Sequence, residues 1–100
     1  MHNWIKWGEA MKISASQEVI NSLKIDLEKT KNGVVRIKIS GYGWGGPSLG
    51  VALDEQKTDD IIYELKGVKF AASEDISYLI ENAEILKIAY GYRVRRNLNC

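Results

Sequence analysis

The chain has few of the residues that usually carry covalent or metal chemistry. Its 100 residues include one cysteine, Cys100, one histidine, His2, and one proline. A single cysteine excludes an internal disulfide and favours a reducing compartment, so we expect a cytoplasmic protein. A lone histidine is not expected to act as a ligand. The sequence also has no Ser-His-Asp set, no CxxC motif and no paired carboxylates in distinguishable environments, so nothing in it indicates an enzyme.

Long hydrophobic runs and a strong excess of one charge are absent as well. No apolar stretch approaches the roughly 20 residues of a membrane span, and residues 1–10 contain none long enough for a secretory signal. The formal net charge is +1, which gives no reason to expect nucleic acid or a membrane as a partner. With 45% hydrophobic residues the chain has enough apolar surface for the core of one compact domain.

The first ten residues differ from the rest. Residues 1–10 carry two tryptophans and show no period, whereas a regular pattern begins at Met11. We interpret residues 1–10 as an N-terminal extension or a cloning remnant, and residues 11–100 as the domain. The alternative is a short strand or helix that packs its tryptophans on the body of the protein.

Hydrophobic periodicity predicts a helix followed by a group of strands. An apolar face at helical spacing predicts a helix over residues 16–30, with Ser14 and Gln17 as its capping box. Alternation with a period of two predicts four strands, at residues 35–39, 49–53, 61–65 and 68–71. A short helix is predicted to start at Ser73. Two further strands are predicted after it, at residues 86–90, with Leu86, Ile88 and Tyr90 on one face, and at residues 92–96. Grouped strands predict an α+β domain with mainly antiparallel or mixed sheets. The predicted core contains Leu23, Leu27, Ile37, Ile39, Val51, Leu53 and Phe70.

The most unusual segment is the glycine-rich sequence GYGWGGP at residues 41–47. It matches G-x-G-x-x-G through Gly41, Gly43 and Gly46. A dinucleotide site, however, needs a following helix in a βαβ unit, whereas here Pro47 and another strand follow. From the residues alone, the segment is interpreted as a wide hairpin loop between two strands.

Two stretches of the chain resemble the HesB/IscA-like family of iron–sulfur assembly proteins. Residues 35–53, VRIKISGYGWGGPSLGVAL, resemble its central strand, glycine-rich loop and second strand, and residues 59–70, DDIIYELKGVKF, resemble its acidic turn and the two strands that follow. The resemblance covers roughly residues 11–97. It implies a HesB-like domain with two helices, iron–sulfur assembly or client proteins as partners, and a homodimer as one option.

The chemistry of that family depends on three cysteines, one in the loop and two in a C-terminal Cys-Gly-Cys. Such thiolates hold an iron–sulfur cluster or iron, often between subunits. In this chain Trp44 occupies the loop position, between Gly43 and Gly45, and only Cys100 represents the C-terminal pair. One thiolate per chain falls short of the four that a cluster usually takes. We therefore expect no cofactor in the family's manner, with Cys100 as a solvated thiol or, alternatively, a metal ligand or redox partner.

Trp44 has three interpretations: a cover for the core, an anchor for a partner protein, or a substitute for a reactive residue. The third arises because the Gly-Gly-Pro continuation resembles a HesB-related subgroup in which some members carry selenocysteine in the loop. A tryptophan codon differs by one base from the stop codon that encodes selenocysteine. We predict that the Trp44 side chain is accessible. Three functions stay open: an iron–sulfur assembly protein, a small thiol or selenol redox protein with its nucleophile at position 44, or a non-metal protein-binding module.

Two charged clusters have simpler interpretations. Asp54-Glu55 and Asp59-Asp60 are expected to form a solvated turn, with a hard cation as the alternative. Arg93, Arg95 and Arg96 form a basic edge that protects a strand from pairing with another chain. Binding of phosphate or of an acidic partner is the alternative for this edge.

Overall fold

The computed structural model describes residues 6–7, 11–44 and 46–96. The strands are β1 (Lys6–Trp7), β2 (Ile13–Ala15), β3 (Gly33–Gly43), β4 (Gly46–Glu55), β5 (Ile61–Leu65), β6 (Val68–Ala72), β7 (Ala83–Ile88) and β8 (Gly91–Arg96). The α-helix α1 spans Gln17–Leu27, and a 3₁₀ helix spans Glu74–Ile80. The predicted α+β class is confirmed. Within the described ranges, no helix has the length and apolar character needed to cross a membrane.

The strands form two sheets. A five-stranded sheet has the order β1-β5-β6-β3-β4, and a three-stranded sheet has the order β2-β7-β8. Strand β3 runs antiparallel to β4 and parallel to β6, and β2 runs parallel to β7. Both sheets are therefore mixed, as the grouping of strands in the sequence predicted.

The start of α1 differs from the prediction. The Ser16 hydroxyl, not Ser14, caps the helix by accepting a hydrogen bond of 3.2 Å from the Val19 backbone N–H. Ser14 lies in β2, where it pairs with Glu84 of β7. The prediction for Ser14 was wrong because this pairing joins residues that are 70 positions apart, and a local capping pattern carries no information about it.

The main core lies between the two sheets and α1. The helix buries Val19, Ile20 and Leu23 against β2, β3, β6 and β7. Of the seven predicted core residues, Leu23, Ile37 and Phe70 are fully buried and Leu27, Ile39 and Val51 lie at the margin of the core. Leu53 is 40% exposed, so its prediction was wrong. It lies on β4, an edge strand that has a neighbour on one side only.

The buried face of β7 is one residue away from the predicted one. Ala83 and Ile85 are buried, whereas Leu86 and Ile88 are only partly covered and Tyr90 is 91% exposed. Because side chains alternate along a strand, a shift of one residue exchanges the two faces. Ile85 and Leu86 are adjacent and both apolar, so the alternation of apolar and polar residues could not show which of the two faces of β7 is buried.

Candidate functional site

The glycine-rich segment ends a long antiparallel hairpin. Strands β3 and β4 pair from Gly33 and Glu55 out to Gly43 and Gly46, with a register shift between Ile39 and Gly41. Only two residues, 44 and 45, connect the last pair. The expectation of a wide loop was therefore wrong, because the glycines themselves continue the strand pairing. The segment forms an extended arm with a tight turn at its end.

The tip of this arm presents aromatic side chains to solvent. Trp44 is fully exposed and Tyr42 is 79% exposed, which confirms the predicted accessibility of Trp44 and excludes a core-covering role for it. A Cβ atom added at Gly41, Gly43 or Gly46 would meet no atom within 4 Å. The space beside these three glycines is therefore open. Of these three glycines, Gly46 has a backbone conformation that favours glycine, with a φ of +99°.

The resemblance to the HesB/IscA-like family places residues 43, 44 and 45 in the loop that carries the family's first cysteine, although no cofactor is expected there in this chain. The structure brings Gly43 and Trp44 together at the tip, and residue 45 lies outside the described residues. Cys100, the alternative metal ligand, also lies outside them, and so does His2, which was not expected to be a ligand. The role of Cys100 stays a prediction.

The tip of the arm is uncharged. No charged residue occurs between Lys38 and Asp54 in the sequence, so the arm offers aromatic rings, hydroxyls and backbone groups. The indole ring of Trp44 can donate one hydrogen bond through its N–H group, and it has no atom that can accept one. In the described part of the chain, no group of three or more His, Cys, Asp or Glu side chains is placed to hold a metal ion.

The hairpin is tied to the neighbouring sheet near the base of the tip. Arg96, the last residue of β8, donates from Nη1 to the Pro47 carbonyl oxygen at 2.9 Å. This bond crosses from the three-stranded sheet to β4. It fixes the orientation of the arm relative to the body of the domain.

The acidic turn contains a buried ion pair that sequence reasoning missed. Arg36 donates from Nη1 and Nη2 to the two carboxylate oxygens of Asp60, at 2.7 and 2.9 Å, and from Nε to Asp54 at 2.9 Å. The Lys57 backbone N–H donates to Asp60 at 2.8 Å. Asp60 is only 6% exposed, so the expectation of a solvated turn was wrong for this residue. Its carboxylate is occupied by Arg36, which leaves no room for a hard cation there.

The electrostatics of this cluster follow from its geometry. Burial by itself raises the pKa of Asp60, but the hydrogen bonds from Arg36 and from the Lys57 N–H outweigh it, and the pKa lies below the ordinary value. The Glu55 backbone N–H and then Arg36 lower the pKa of Asp54. The bond to Asp60 in turn raises the pKa of Arg36. The hydrogen bonds and ion pairs of this cluster link β3 to β4 and to the turn before β5. They thereby stabilise the base of the hairpin.

Helix α1 and β8 are joined by a second polar contact. The Tyr92 hydroxyl donates to Asp26 at 2.6 Å and lies 2.7 Å from the Ser22 hydroxyl. Burial and the Asp26 carboxylate raise the pKa of Tyr92. The Lys87 ammonium lies 5.0 Å from the centre of its ring. The bonds from Tyr92 to Asp26 and Ser22 hold the helix on the sheet, at the end of β8 remote from the hairpin.

Comparison with known proteins supports the fold. No family model and no curated protein sequence matches the chain. Among solved structures, a protein from Aquifex aeolicus solved by NMR covers 97% of this chain and 99% of its own, at a TM-score of 0.63 and 16% identity. IscA, crystallised with its [2Fe-2S] cluster, matches at 0.58 and 18% identity and covers 84% of this chain and 79% of its own.

A third solved structure agrees with these two. Escherichia coli SufA, which is involved in the biosynthesis of iron–sulfur clusters, matches at a TM-score of 0.58 and 14% identity, over 95% of this chain and 83% of its own. At such low identities the likeness shows a shared fold. The chain thus shares its overall fold with IscA and SufA.

Proposed function

We propose that the chain works in iron–sulfur cluster assembly in the cytoplasm, as a protein of the HesB/IscA-like kind. In this proposal the hairpin tip is its contact surface for assembly or client proteins. The observation that carries the proposal is the fold shared with IscA and SufA, taken together with the resemblance of residues 35–53 to the family's strand, loop and strand. Exposed tryptophans are enriched at the anchors of protein interfaces, and Trp44 stands at the end of the arm.

The donor atoms of the described residues do not fit an iron–sulfur cluster. Clusters are held by thiolates, and the described part of the chain contains no cysteine. Position 44, which corresponds to the family's loop cysteine, carries an indole ring. We therefore derive no step through a cluster bound to this chain, and clusters enter the proposal only as cargo of its partners.

A second function is favoured by the full exposure of position 44. A thiol or selenol at this position would be open to solvent, and access to solvent is one condition for a reactive nucleophile. The chain would then be a small redox protein in which Trp44 stands for the native residue. The sequence of codon 44 in the source gene decides this alternative: a TGA codon supports it and a TGG codon removes it.

The assembly proposal is tested by cluster transfer between two other proteins. A [2Fe-2S]-loaded scaffold protein and an apo-ferredoxin are mixed, and visible circular dichroism follows the arrival of the cluster on the ferredoxin. We expect the chain to change the transfer rate, and Trp44→Ala to remove that effect. Tyr90→Ala is the matched control, because Tyr90 is equally exposed but lies at the other end of β8 from Arg96.

Two results would overturn the proposal. If the chain leaves the transfer rate unchanged, the interpretation as a binding module outside iron–sulfur assembly replaces it. If Trp44→Ala and Tyr90→Ala behave alike, the hairpin tip is not the contact surface.

A further inference from the structure

The three-stranded sheet has one face in the core and one face in solvent. Ala83 and Ile85 of β7 are buried on the core side. The register aligns Ser14, Glu84 and Arg95 in one row across the three strands, and alternation along each strand puts this row on the other side. Ser14 and Arg95 are exposed, so this second side, here called the outer face, is turned to solvent. The outer face is formed by Ser14, Glu84, Leu86, Ile88, Arg93 and Arg95.

The middle strand of this sheet, β7, carries apolar residues on both sides. It buries Ala83 and Ile85 in the core, and on the outer face it carries Leu86 and Ile88, which are partly exposed. A strand with one face in water alternates apolar and polar residues, whereas a strand that is covered on both faces has apolar residues in succession. The sequence of β7 is therefore typical of a strand covered on both sides, although its outer face is open to solvent.

The outer face has an excess of positive charge, which comes from β8. Arg95 forms an ion pair with Glu84, and the two side chains are 63% and 38% exposed, so this pair contributes little stability. Arg93 is exposed and lies opposite Leu86. Among the described residues, no ion pair joins Arg93 to an acidic side chain. The face thus offers one unpaired and one weakly held guanidinium group beside an apolar centre.

The dimensions of the outer face match those of one α-helix. Neighbouring strands lie about 4.8 Å apart, so the two outer strands are about 10 Å apart, which is close to the diameter of a helix with its side chains. Strands β7 and β8 have six residues each, which corresponds to roughly 20 Å of sheet. A helix of about 13 to 15 residues has the same length. Packing of a helix on a sheet is a common way to cover an apolar sheet face.

Charge distinguishes a second copy of the chain from a different partner. If two copies packed through their outer faces, Arg93 and Arg95 of one copy would approach the same arginines of the other, and each copy would supply only Glu84 as a counter-charge. Such like-charge contacts oppose association. An acidic partner instead gives each arginine a carboxylate, and a guanidinium group can bind a carboxylate through two parallel hydrogen bonds.

We propose that the outer face binds an acidic amphipathic helix of a partner protein. The apolar side chains of that helix pack on Leu86 and Ile88, and its carboxylates pair with Arg93 and Arg95. This surface shares no residue with the hairpin tip, and the proposal does not depend on the role in iron–sulfur assembly.

The test is a ¹H–¹⁵N NMR titration with a synthetic helical peptide. The peptide has about 15 residues, with leucines at positions i, i+3, i+7 and i+10 on one face, glutamates beside them and capped termini. In one control peptide lysines replace the glutamates, and in the other serines replace the leucines. With the acidic amphipathic peptide we expect saturable shifts of the amide signals of Leu86, Ile88 and Arg93, and an affinity that falls as the salt concentration rises.

Substitutions in the protein locate the contact. Arg93→Glu should weaken the affinity about tenfold or more, because a like-charge contact replaces a charge-assisted hydrogen bond. Lys31→Glu is the matched control: it changes the net charge equally at an exposed residue before β3, and should weaken the affinity less than about twofold because salt screens distant charges. Leu86→Thr, which keeps a strand-forming residue, should weaken it several-fold. Trp44→Ala should leave it unchanged.

The remaining outcomes separate this proposal from its alternatives. If Leu86→Thr does not fold, Ile88→Thr is expected to weaken binding several-fold in its place. The proposal is overturned if either control peptide binds as tightly as the acidic amphipathic one, if Lys31→Glu weakens binding as much as Arg93→Glu, or if the saturable shifts lie at the hairpin tip. It is also overturned if sedimentation equilibrium finds a dimer of the free chain that Arg93→Glu or Leu86→Thr dissociates, because a second copy then occupies the face.

Discussion

Replacing Asp60 by asparagine removes the charge from the buried ion pair at the base of the hairpin. The side chain keeps its size and one acceptor oxygen, but the amide turns two N–H donors toward a site where Arg36 also donates. Arg36 has 14% of its side-chain surface exposed and Asp60 has 4%, so solvent compensates little. Asp60→Asn therefore leaves a partly unpaired guanidinium in a poorly solvated place.

The expected loss in the free energy of unfolding is about 3 kcal/mol, the lower end of the roughly 3–5 kcal/mol measured when one partner of a buried pair is removed. The lower end applies because Asp54 stays as a second counter-charge for Arg36. In a domain of this size each kcal/mol lowers the melting temperature by about 4–8 °C. The variant should thus melt roughly 12–24 °C below the wild type at neutral pH.

The effect should depend on pH in a defined direction. Because the folded-state pKa of Asp60 is lowered, its contribution is complete above the ordinary carboxyl pKa of about 4 and is lost as the pH falls through the lower, folded value. Thermal melts followed by circular dichroism, at neutral pH and in steps into acid, measure this. The gap between wild type and Asp60→Asn should close in acid.

The neighbouring residue provides the control. Asp59 is exposed, so Asp59→Asn should change the free energy of unfolding by no more than about 0.5 kcal/mol. The reasoning is refuted if the two variants melt within a few degrees of each other, or if the gap for Asp60→Asn persists unchanged at the lowest pH at which the protein folds.

Two further substitutions test the tip and the core. Trp44→Cys should fold with a free energy of unfolding within about 0.5 kcal/mol of the wild type, because the tryptophan is fully exposed. Mass spectrometry after alkylation under native conditions should find a modified residue 44. An unfolded variant, or modification at Cys100 alone, would contradict this prediction. Phe70→Ala should cost about 3–5 kcal/mol, because Phe70 is completely buried in the main core; a urea denaturation midpoint close to that of the wild type would contradict the assigned core.

The features that could be predicted from the sequence are those that depend on local patterns of residues. Alternation located β3 and β5 and their inward faces, and helical spacing located α1 and its buried Leu23, because burial on one face imposes a period on the chain. The exposure of Trp44 also followed from local composition, since the glycines around it supply no side chains to cover it.

Long-range pairing accounts for what the sequence did not predict. Asp60 pairs with Arg36 of β3, which lies 24 positions earlier in the chain, whereas the acidic turn by itself looks solvated. Arg96 faces inward because of its register with Ala83. Nothing within a few residues of either position indicates these contacts, so the ion pair and the inward-facing arginine became visible only in the assembled sheets.

The most direct test of the central claim, that the chain serves iron–sulfur assembly without carrying a cluster itself, is anaerobic reconstitution with ferrous iron and sulfide. After desalting, the account predicts no stable visible absorption and no stoichiometric iron or acid-labile sulfide, because one cysteine per chain, or two in a dimer, is short of the four thiolates that a cluster usually takes. A stoichiometric cluster that survives desalting, and disappears in Cys100→Ser, would contradict the account and make the chain a cluster carrier.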